Sequence, residues 1–325
     1  MAANNDDTIF ESLLGIDIID AVRACFIFAA CTTLLFTSLP ALNSRFVNYG
    51  ARSSSTAKTQ DGDSTPKQPS SDATVVTSVL DRLATWQVPH RYFTHYYITL
   101  LLSSAFWINQ LLTHGPAFRF VVANTSSEHL QKSMTLRQVL LCIGLVVIQG
   151  VRRLYESFAF AKPSSSRMGV VHWLLGLSFY LGVTIAIWIE GLGAVLSNTL
   201  TLDDFRVTVV PTLKTLLFLP VFLMASGLQH DCHHYLSSLK KYTVPTHPLF
   251  TWVVSPHYTA ECVIYLSLTF LAAPEGEFLN KTILCGLFFV VVNLGGTARN
   301  SQKWYKEKFG EESIRGKWIM IPGIY

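Results

Sequence analysis

Long apolar runs separated by shorter polar segments dominate the chain. Seven of these runs approach the length of about 20 residues that a helix needs to cross a lipid bilayer. They lie at roughly 18–39, 96–113, 138–151, 169–191, 210–228, 258–273 and 280–296. Several are short, so the pattern predicts an all-α membrane protein with six to seven transmembrane helices in one bundle.

The segment between the first two apolar runs differs from both of them. Residues 50–74 are rich in Ser, Thr, Gly and Pro and have almost no apolar side chains, so they bury too little surface to offset the entropy of ordering. The sequence predicts an N-terminal region with the first transmembrane helix at 1–49, a disordered cytosolic loop at 50–85, and a multi-pass membrane domain at 86–325. No small-residue cleavage site follows the first run, which predicts a retained helix and not a signal peptide.

The composition agrees with an integral membrane protein. Apolar residues make up 50% of the 325 residues and charged residues only 14%, against about a quarter in soluble domains. The six cysteines lie mostly inside the apolar runs and have no paired spacing. We therefore expect small buried thiols and no disulfide framework.

Lysine and arginine are unevenly distributed between the two sets of loops. With seven spans, segments 40–95, 152–168, 229–257 and 297–325 contain 6, 4, 2 and 6 of these residues, and the opposite loops contain 0, 3, 1 and 1. The positive-inside rule places the first set, and with it the C-terminus, in the cytosol. The net charge of +4 mainly reflects this asymmetry, so it predicts topology and no nucleic-acid partner.

Polar groups near the helix ends are informative, because an ionisable side chain at the centre of a bilayer costs about 2.5–3.5 kcal/mol. Four such groups lie at helix ends assigned to the cytosol. They are Arg153 with Glu156, the cluster QHDCHH at 229–234, Glu261, and ARNSQKWY at 298–305. We expect them to line one pocket that opens to the cytosol.

The cluster QHDCHH has the spacing H-x-x-H-H, which membrane di-iron hydroxylases use to bind iron. The fragment HRYFTH at 90–95 has the H-x-x-x-x-H spacing that these enzymes also use. A third box, again of the H-x-x-H-H type, is absent from the sequence, so the ligand set for two irons is incomplete. Zinc held by His230, Cys232 and His233 is a second alternative, but residues at about 100° intervals on one helix point in different directions. A polar helix end that meets headgroups and water is a third. We expect no bound metal.

Five blocks stand out in order along the chain: VPHRYFTHYYI, RRLYESFAF, QHDCHHYLSSLKKY, FTWVVSPHYTAECVIYLSLTF and the tail QKWYKEKFGEESIRGKWIMIPGIY. In order and spacing they resemble the steroid 5-alpha-reductase family, specifically its polyprenal (polyprenol) reductase branch. The resemblance implies an NADPH-dependent enzyme of the endoplasmic reticulum membrane. It also implies a polyprenoid lipid substrate whose reduced product feeds the synthesis of dolichol-linked glycans.

The resemblance further implies which residues hold NADPH, without a Rossmann fingerprint, and this sequence has no G-x-G-x-x-G. Phosphate groups favour basic and amide donors, and the carboxamide and ribose hydroxyls favour Glu, Gln and Tyr. The matching positions in the C-terminal region 229–325 are Gln229, His233, Lys240, His257, Glu261, Ser301 and Tyr305. We expect Glu261 and Tyr305 to form a polar clamp on the cofactor at the cytosolic rim.

The chemistry of hydride transfer narrows the substrate to a conjugated carbonyl compound. Hydride adds to the β-carbon of a polyprenal and a proton to its α-carbon, while a hydrogen-bond donor stabilises the enolate oxygen. The tyrosine that contacts the carbonyl in the steroid branch aligns near Gly150, which has no hydroxyl. The candidate donors are therefore Tyr155, His95 and Tyr96.

Other functions are compatible with a small helical membrane protein. They are a 3-oxo-steroid 4-ene 5-alpha-reductase, a di-iron lipid hydroxylase, a methyltransferase that uses S-adenosylmethionine, and a non-catalytic membrane scaffold. Bound iron would identify the hydroxylase, and the identity of the bound nucleotide separates the others.

Overall fold

The computed structural model describes residues 17–43, 46, 71–162, 165–198, 204, 210–240 and 243–325. Its elements are α1 (Ile18–Ser38), α2 (Pro40–Leu42), α3 (Ser71–Thr85), β1 (Gln87–Pro89), α4 (Thr94–Thr113), α5 (Pro116–Ala123), α6 (Ser127–Gln131), α7 (Leu136–Ala159), β2 (Arg167–Gly169), α8 (Val170–Ile189), α9 (Leu192–Ser197), α10 (Leu213–Ser238), α11 (Pro248–Trp252), α12 (Pro256–Leu271) and α13 (Lys281–Phe309). Short 3₁₀ turns lie at His90–Phe93 and Glu311–Ser313.

Each of the seven apolar runs corresponds to one long helix, namely α1, α4, α7, α8, α10, α12 and α13. Five of them are long and apolar enough to cross a membrane: α1, α7, α8, α10 and α13. Helices α4 and α12 form as predicted but do not meet that criterion. The chain is a mainly helical multi-pass membrane protein, and the number of six to seven spans stays a prediction.

The disordered loop predicted at 50–85 ends earlier than expected. Residues 50–70 lie outside the described residues, but 71–85 form helix α3, so the prediction is wrong for this part. The reason is visible in the segment VVTSVLDRLA at 75–84, where valine and leucine recur at three- and four-residue spacing. This spacing is typical of an amphipathic helix.

Capping residues set where several helices begin. Asp17 and Asn280 each accept a backbone N–H in the first turn of α1 and α13, at 2.7 and 2.8 Å. Thr135 and Gln138 form a reciprocal capping box at the start of α7. These contacts satisfy backbone donors that a helix N-terminus otherwise leaves unpaired.

A small antiparallel sheet places the start of α4 beside the start of α8. Strand β1 pairs with β2, with Val88 opposite Met168. The Val170 N–H donates to the Trp86 carbonyl at 2.9 Å, which extends the pairing to the first residue of α8. The first turns of α4 and α8 consequently lie side by side, and both contribute to the candidate site.

The long helices pack in pairs, with α10 along α12 and α1 along α13, while α4 contacts both α7 and α8. A β-carbon at Gly296 of α13 would lie 2.5 Å from the side chain of Thr37 on α1, so this close approach requires glycine. Large side chains such as Trp188, Phe118 and Phe222 are fully buried in the interior.

The C-terminal tail folds back over the start of α12. The Trp318 N–H donates to the Trp252 carbonyl, and the Val254 N–H donates to the Trp318 carbonyl, both at 2.9 Å. The Met320 N–H in turn donates to the Tyr325 carbonyl at 3.0 Å. The tail thus braces the first turns of α12, where the candidate site lies.

Candidate functional site

A cavity lies between α4, α8, α10, α12 and α13, beside the last turns of α7, and its lining residues leave about 750 Å³ unfilled by protein atoms, solvent at the open mouth included. Its wall is aromatic on one side and polar on the other. The polar and aromatic residues that line it include Tyr96, Tyr97, Arg153, His172, Phe179, Tyr180, Gln229, His233, Tyr258, Glu261 and Asn293. A mainly apolar wall with a few convergent polar groups is typical of a ligand site.

A buried glutamate organises the polar wall. Only 1% of the Glu156 side chain is exposed, and both Arg152 and Arg153 pair with its carboxylate. His230 Nδ1 and His233 Nδ1 lie 2.7 and 2.8 Å from its two oxygens. These five residues, here named the Glu156 cluster, join α7 to α10. A carboxylate buried in this way is stable only because its partners satisfy it.

Gln229 connects the Glu156 cluster to α12. Its buried side-chain oxygen accepts from Gln149 Nε2 at 2.9 Å and from Arg152. Its side-chain nitrogen donates to the Glu261 carboxylate. Because both ends of the amide are engaged, its orientation in the wall is fixed.

Arg153 connects the same cluster to the aromatic wall. Its Nη2 donates to the Tyr97 hydroxyl at 2.5 Å, and its guanidinium carbon lies 4.9 Å from the centre of the Tyr97 ring. Tyr180 packs on the rings of Tyr96 and Tyr97 at 5.9 and 5.7 Å. A β-carbon at Gly176 would lie 2.5 Å from the Tyr96 ring, so glycine makes room for this wall.

A second, narrower cavity adjoins the first, deeper in the bundle, and its lining residues leave about 370 Å³ unfilled, open solvent included. Four residues line both cavities: Tyr97, Arg153, Tyr180 and Glu261. The rest of the second wall is mainly apolar and includes Leu100, Val146, Gly150, Phe222, Ile264 and Leu268. Polar and apolar surroundings therefore meet at this boundary.

The four polar groups expected to share a pocket are brought together in part. Arg153, His233 and Glu261 line the cavity, and Glu156 holds the first two in place. Residues 298–305 do not line it. The part of α13 that lines the cavity lies one to two turns before residues 298–305, at Asn293.

The residues predicted to hold the cofactor fall into two groups. Gln229, His233 and Glu261 line the cavity. The ring of His257 lies 5.5 Å from that of His233, so it is next to the cavity without lining it.

The remaining predicted contacts lie farther away. Lys240 is exposed just after the end of α10, and Ser301 donates its hydroxyl to a carbonyl one turn earlier in α13 at 3.1 Å. Tyr305 lines a separate small cleft beside the C-terminal tail. The structure does not bring Tyr305 to Glu261, as a clamp of these two residues requires.

Of the three predicted donors to the substrate, the structure brings only Tyr96 into the cavity. The Tyr96 hydroxyl donates to the His172 carbonyl at 3.3 Å. His95 packs among aromatic rings and does not line the cavity. Tyr155 is 62% exposed, because it precedes Glu156 by one residue and therefore points about 100° away from it on the helix.

Sequence reasoning missed Tyr97, Tyr180 and Asn293. The signal for Asn293 was present, since VVVNLGG at 290–296 places an amide inside an apolar run, which is costly in lipid. The tyrosines gave no comparable signal, because tyrosine is common wherever a membrane helix meets the interface. Only packing shows which hydroxyl of the pair at 96–97 is held by an arginine.

The histidine cluster takes part in a hydrogen-bond network of the protein. Among the described residues, no group of three or more His, Cys, Asp or Glu side chains is arranged to hold a metal ion. His230 and His233 lie against Glu156, and Cys232 is buried. His234 packs against Phe160 with 5.6 Å between ring centres.

Comparison with known proteins gives relatives for both the C-terminal part and most of the chain. Residues 195–325 match the sequence profile of the family described as 3-oxo-5-alpha-steroid 4-dehydrogenase. The chain is 28% identical over 291 residues to polyprenal reductase 1 of Oryza sativa subsp. indica, which covers 74% of this chain and 80% of the relative.

A relative from a yeast and one from a mammal are also named polyprenal reductase. Identity to the polyprenal reductase of Saccharomyces cerevisiae is 28% over 249 residues, covering 76% of this chain and 79% of that protein. Identity to the polyprenal reductase of Mesocricetus auratus is 26% over 262 residues, covering 69% and 75%. The resemblance of the five sequence blocks is therefore confirmed: the chain is related to the steroid 5-alpha-reductase family, in its polyprenal reductase branch.

Proposed function

We propose that this protein is an NADPH-dependent polyprenal reductase, which reduces the α-isoprene double bond of a polyprenal to give dolichal. The reaction converts polyprenol to dolichol overall and supports dolichol-linked glycan synthesis and protein N-glycosylation. The observation that carries the proposal is the match to reductases of a plant, a yeast and a mammal over 74%, 76% and 69% of the chain.

The two adjoining cavities support this substrate class. A polyprenal has a polar aldehyde at the end of a long isoprenoid chain. The polar wall of Arg153, Gln229 and Glu261 meets the apolar wall that contains Leu100 and Phe222. An aldehyde at this boundary leaves its isoprenoid chain in apolar surroundings, so the hydrophobic part of the substrate need not enter water.

The side chains of the polar wall fit NADPH. Gln229 provides an amide, Glu261 a carboxylate and His233 an imidazole, which are partners for a carboxamide and for ribose hydroxyls. The other predicted contacts follow on the same end of the bundle: His257, Lys240, Ser301 and Tyr305. A basic group such as Lys240 suits the 2′-phosphate. When bound, NADPH supplies the hydride for the reduction.

The protein's part in the reaction is to hold the aldehyde and to stabilise charge on its oxygen. Reduction of a conjugated aldehyde at the β-carbon shifts negative charge to the aldehyde oxygen before a proton adds at the α-carbon. Arg153 and several tyrosines, Tyr96 among them, line the cavity, and we expect one of their donors to meet this charge. Donors fixed in advance in a site with little water are effective at such stabilisation.

We also propose that the protein resides in the endoplasmic reticulum membrane with its C-terminus in the cytosol. The five candidate spans and the excess of lysine and arginine in one set of loops support this orientation. It places the polar wall, at the ends of α7 and α10, on the side where NADPH is present.

The alternative functions are not favoured. The matched family profile is described by a steroid reaction, but the relatives that align along most of the chain are named polyprenal reductases. A di-iron hydroxylase requires a ligand set that the sequence does not contain, since its third histidine box is absent. A reaction in which a polyprenal competes with a 3-oxo-4-ene steroid therefore distinguishes the two reductase functions.

The test incubates the detergent-purified protein with a polyprenal and NADPH and measures dolichal by mass spectrometry. We expect dolichal to form with NADPH and far less to form with NADH. A 3-oxo-4-ene steroid added at equal concentration should remain unreduced. Preferential reduction of the steroid, or product formation only after iron or S-adenosylmethionine is added, would contradict the proposal.

Cofactor identity has an independent readout in thermal stability. NADPH at 100 times its Kd should stabilise the folded protein by roughly 2.7 kcal/mol, and S-adenosylmethionine should have no effect. Lys240→Ala should weaken the preference for NADPH over NADH, whereas Lys132→Ala, an exposed lysine at the opposite end of the bundle, should not. Equal protection of the wild type by NADPH and NADH would count against a basic group that recognises the 2′-phosphate.

A further inference from the structure

We infer that Tyr97 is the catalytic hydrogen-bond donor to the aldehyde oxygen and that Arg153 is the residue that positions it. This inference rests on the proposed polyprenal reduction and assigns a role that sequence reasoning gave to other residues. It comes from the place of Tyr97 at the boundary of the two cavities and from its contact with Arg153.

The position of Tyr97 matches that of the reacting group in a polyprenal. The aldehyde carbon of such a substrate is also the end of its apolar chain, so the oxygen must lie where polar and apolar surroundings meet. Tyr97 lines both the polar cavity and the apolar one. Tyr96, its neighbour in sequence, lines only the first of them.

The hydrogen bond from Arg153 leaves the proton of the Tyr97 hydroxyl available. Arg153 Nη2 is the donor in this contact, at 2.5 Å, so the phenol oxygen is the acceptor. The hydroxyl can then donate its own hydrogen to a third group. The Tyr96 hydroxyl, by contrast, donates to the His172 carbonyl at 3.3 Å and is engaged by the protein itself.

Arg153 is fixed firmly enough to act as a positioning residue. Its other terminal nitrogen pairs with Glu156 and lies 2.6 Å from His233 Nδ1. The guanidinium is also stacked 4.9 Å from the Tyr97 ring centre. A cation held behind the phenol stabilises negative charge that moves toward the phenol oxygen, and it does so without reorganisation during the reaction.

The reduction consists of hydride addition at the β-carbon and protonation at the α-carbon. NADPH, when bound, would supply the hydride for the new C–H bond at the β-carbon; the C=C electron pair would shift toward the carbonyl carbon, and the C=O pair would become a lone pair on oxygen. The Tyr97 O–H donates to this oxygen, and a proton from water then adds at the α-carbon. The aldehyde is thereby reduced to its saturated form, and NADPH is oxidised to NADP⁺.

The test compares Tyr97→Phe with the wild type in dolichal formation. Removal of one donor to a developing oxyanion typically lowers kcat by about 100- to 1000-fold, and we expect a loss in this range. The thermal shift with NADPH should be retained, which shows that the variant is folded and binds cofactor. Tyr92→Phe is the matched control, because Tyr92 lies in the preceding turn and does not line the cavity; it should keep wild-type activity.

Arg153 has its own readout. Arg153→Lys should retain more activity than Arg153→Met, and both should lower kcat more than they raise KM for the polyprenal, because the residue acts through Tyr97. A merely structural arginine would instead lower the melting temperature equally in both variants and leave kcat of the folded fraction unchanged.

The outcomes separate the two levels of inference. A wild-type protein that reduces no polyprenal contradicts the proposed function itself. A wild-type protein that reduces polyprenal while Tyr97→Phe keeps its kcat overturns the role of Tyr97 alone. A loss in Tyr96→Phe or Tyr180→Phe with an active Tyr97→Phe likewise overturns it and moves the donor to that hydroxyl.

Discussion

Two buried glutamates at opposite ends of the bundle each form ion pairs with arginine, but in different surroundings. Glu156 and Glu190 have side chains that are 1% and 5% exposed, and each pairs with arginine. Glu190 Oε1 accepts from Arg23 Nη2 at 2.9 Å and from the Thr282 N–H at 2.8 Å, and the Thr282 hydroxyl also donates to it. His129 lies 3.4 Å from Arg23 and completes what is here named the Glu190 cluster.

The two clusters differ in what surrounds them. In the Glu190 cluster the carboxylate is at the N-terminus of α13, where the helix dipole favours negative charge, and Arg23 pairs with both Glu190 and Asp20. It ties α1, α8 and α13 together. In the Glu156 cluster two arginines pair with one carboxylate, and Arg153 and His233 line a cavity together with Glu261. A guanidinium that is held by the protein and reaches open space is suited to an anionic ligand or a developing oxyanion.

The largest expected effect is on stability, at the Glu190 cluster. Glu190→Ala removes the buried carboxylate from Arg23, which keeps only the exposed Asp20 at 2.8 Å, and breaking a buried ion pair from one side costs about 3–5 kcal/mol. Thermal or denaturant unfolding of the detergent-solubilised protein measures this loss. The double variant Arg23→Met with Glu190→Leu should recover much of it, since it leaves no unpaired charge. Wild-type stability of Glu190→Ala would show that the cluster does not hold these helices together.

The next effect is on activity, at the Glu156 cluster. Glu156→Gln keeps the shape and removes the charge that holds Arg153, and loss of a hydrogen bond to a charged group costs about 1.5–3 kcal/mol. We expect kcat/KM for polyprenal reduction to fall by about 10- to 100-fold. The melting temperature should fall less than in Glu190→Ala, because water in the cavity can solvate the arginine. Asp231→Asn, on the same helix as His230 but 55% exposed, is the control and should retain activity.

Substitution of two glycines by alanine tests how tightly each end of the bundle is packed. A β-carbon at Gly193 would lie 1.9 Å from the Leu130 carbonyl oxygen near the Glu190 end, whereas one at Gly176 would lie 2.5 Å from the Tyr96 ring beside the cavity. Gly193→Ala should cost about 1–3 kcal/mol of stability, as overpacking does. Gly176→Ala should instead shift the ring and raise KM for the polyprenal several-fold.

Gly144→Ala is the matched control for both glycine variants, since a β-carbon there meets nothing within 4 Å. It should change neither stability nor KM by a measurable amount. Gly176→Ala with an unchanged KM, or Gly193→Ala with wild-type stability, would mean that the two ends do not differ in how tightly they are packed.

The smallest effect concerns pH at the Glu190 end. Burial raises the pKa of Asp17, but hydrogen bonds from His129 and from the amides of Ser126 and Ile19 lower it by more, so the net pKa is below its usual value. A depressed pKa stabilises the folded state above the unfolded-state pKa of about 3.9 and loses this contribution as pH falls through the folded-state value.

Unfolding measured between about pH 6 and pH 3 should therefore show a steeper loss of stability in the wild type than in Asp17→Asn. Identical slopes for the two proteins would contradict the role of this carboxylate. Activity of the Glu156 end should not differ between them at neutral pH.

Much of the fold follows from local pattern. The seven apolar runs predicted the positions of the long helices, because each helix buries or exposes to lipid a continuous apolar surface and needs no partner to satisfy its own backbone. The prediction of disorder is wrong for 71–85. The average composition of the whole loop is polar, and it hides the helical spacing of valine and leucine near the end of the loop. Cap residues such as Asp17 and Thr135 are equally local signals.

The candidate site could be predicted only in part. Glu156, Arg153 and Glu261 could be recognised because charged groups near apolar runs are costly unless partners satisfy them. Tyr155 and Tyr97 could not be ranked in the same way, since both are tyrosines near the end of a helix. One turns outward and the other meets Arg153, and which of them does so depends on the rotation of α4 and α7 against their neighbours.

By itself, the sequence determined that this protein is helical, embedded in a membrane and asymmetric in charge, because periodicity, hydropathy and loop charge act locally and add along the chain. The order and spacing of the five sequence blocks also identified the family that the chain resembles. How the helices pack determines that Arg153, held by Glu156, lines the larger cavity, that Glu190 lines a smaller one with Arg23 and His129, and that Tyr97 lies where polar and apolar surroundings meet. Those properties depend on contacts between residues 56 to 167 positions apart in sequence, and such contacts are set by how helices rotate and pack, not by the order of residues within any one of them.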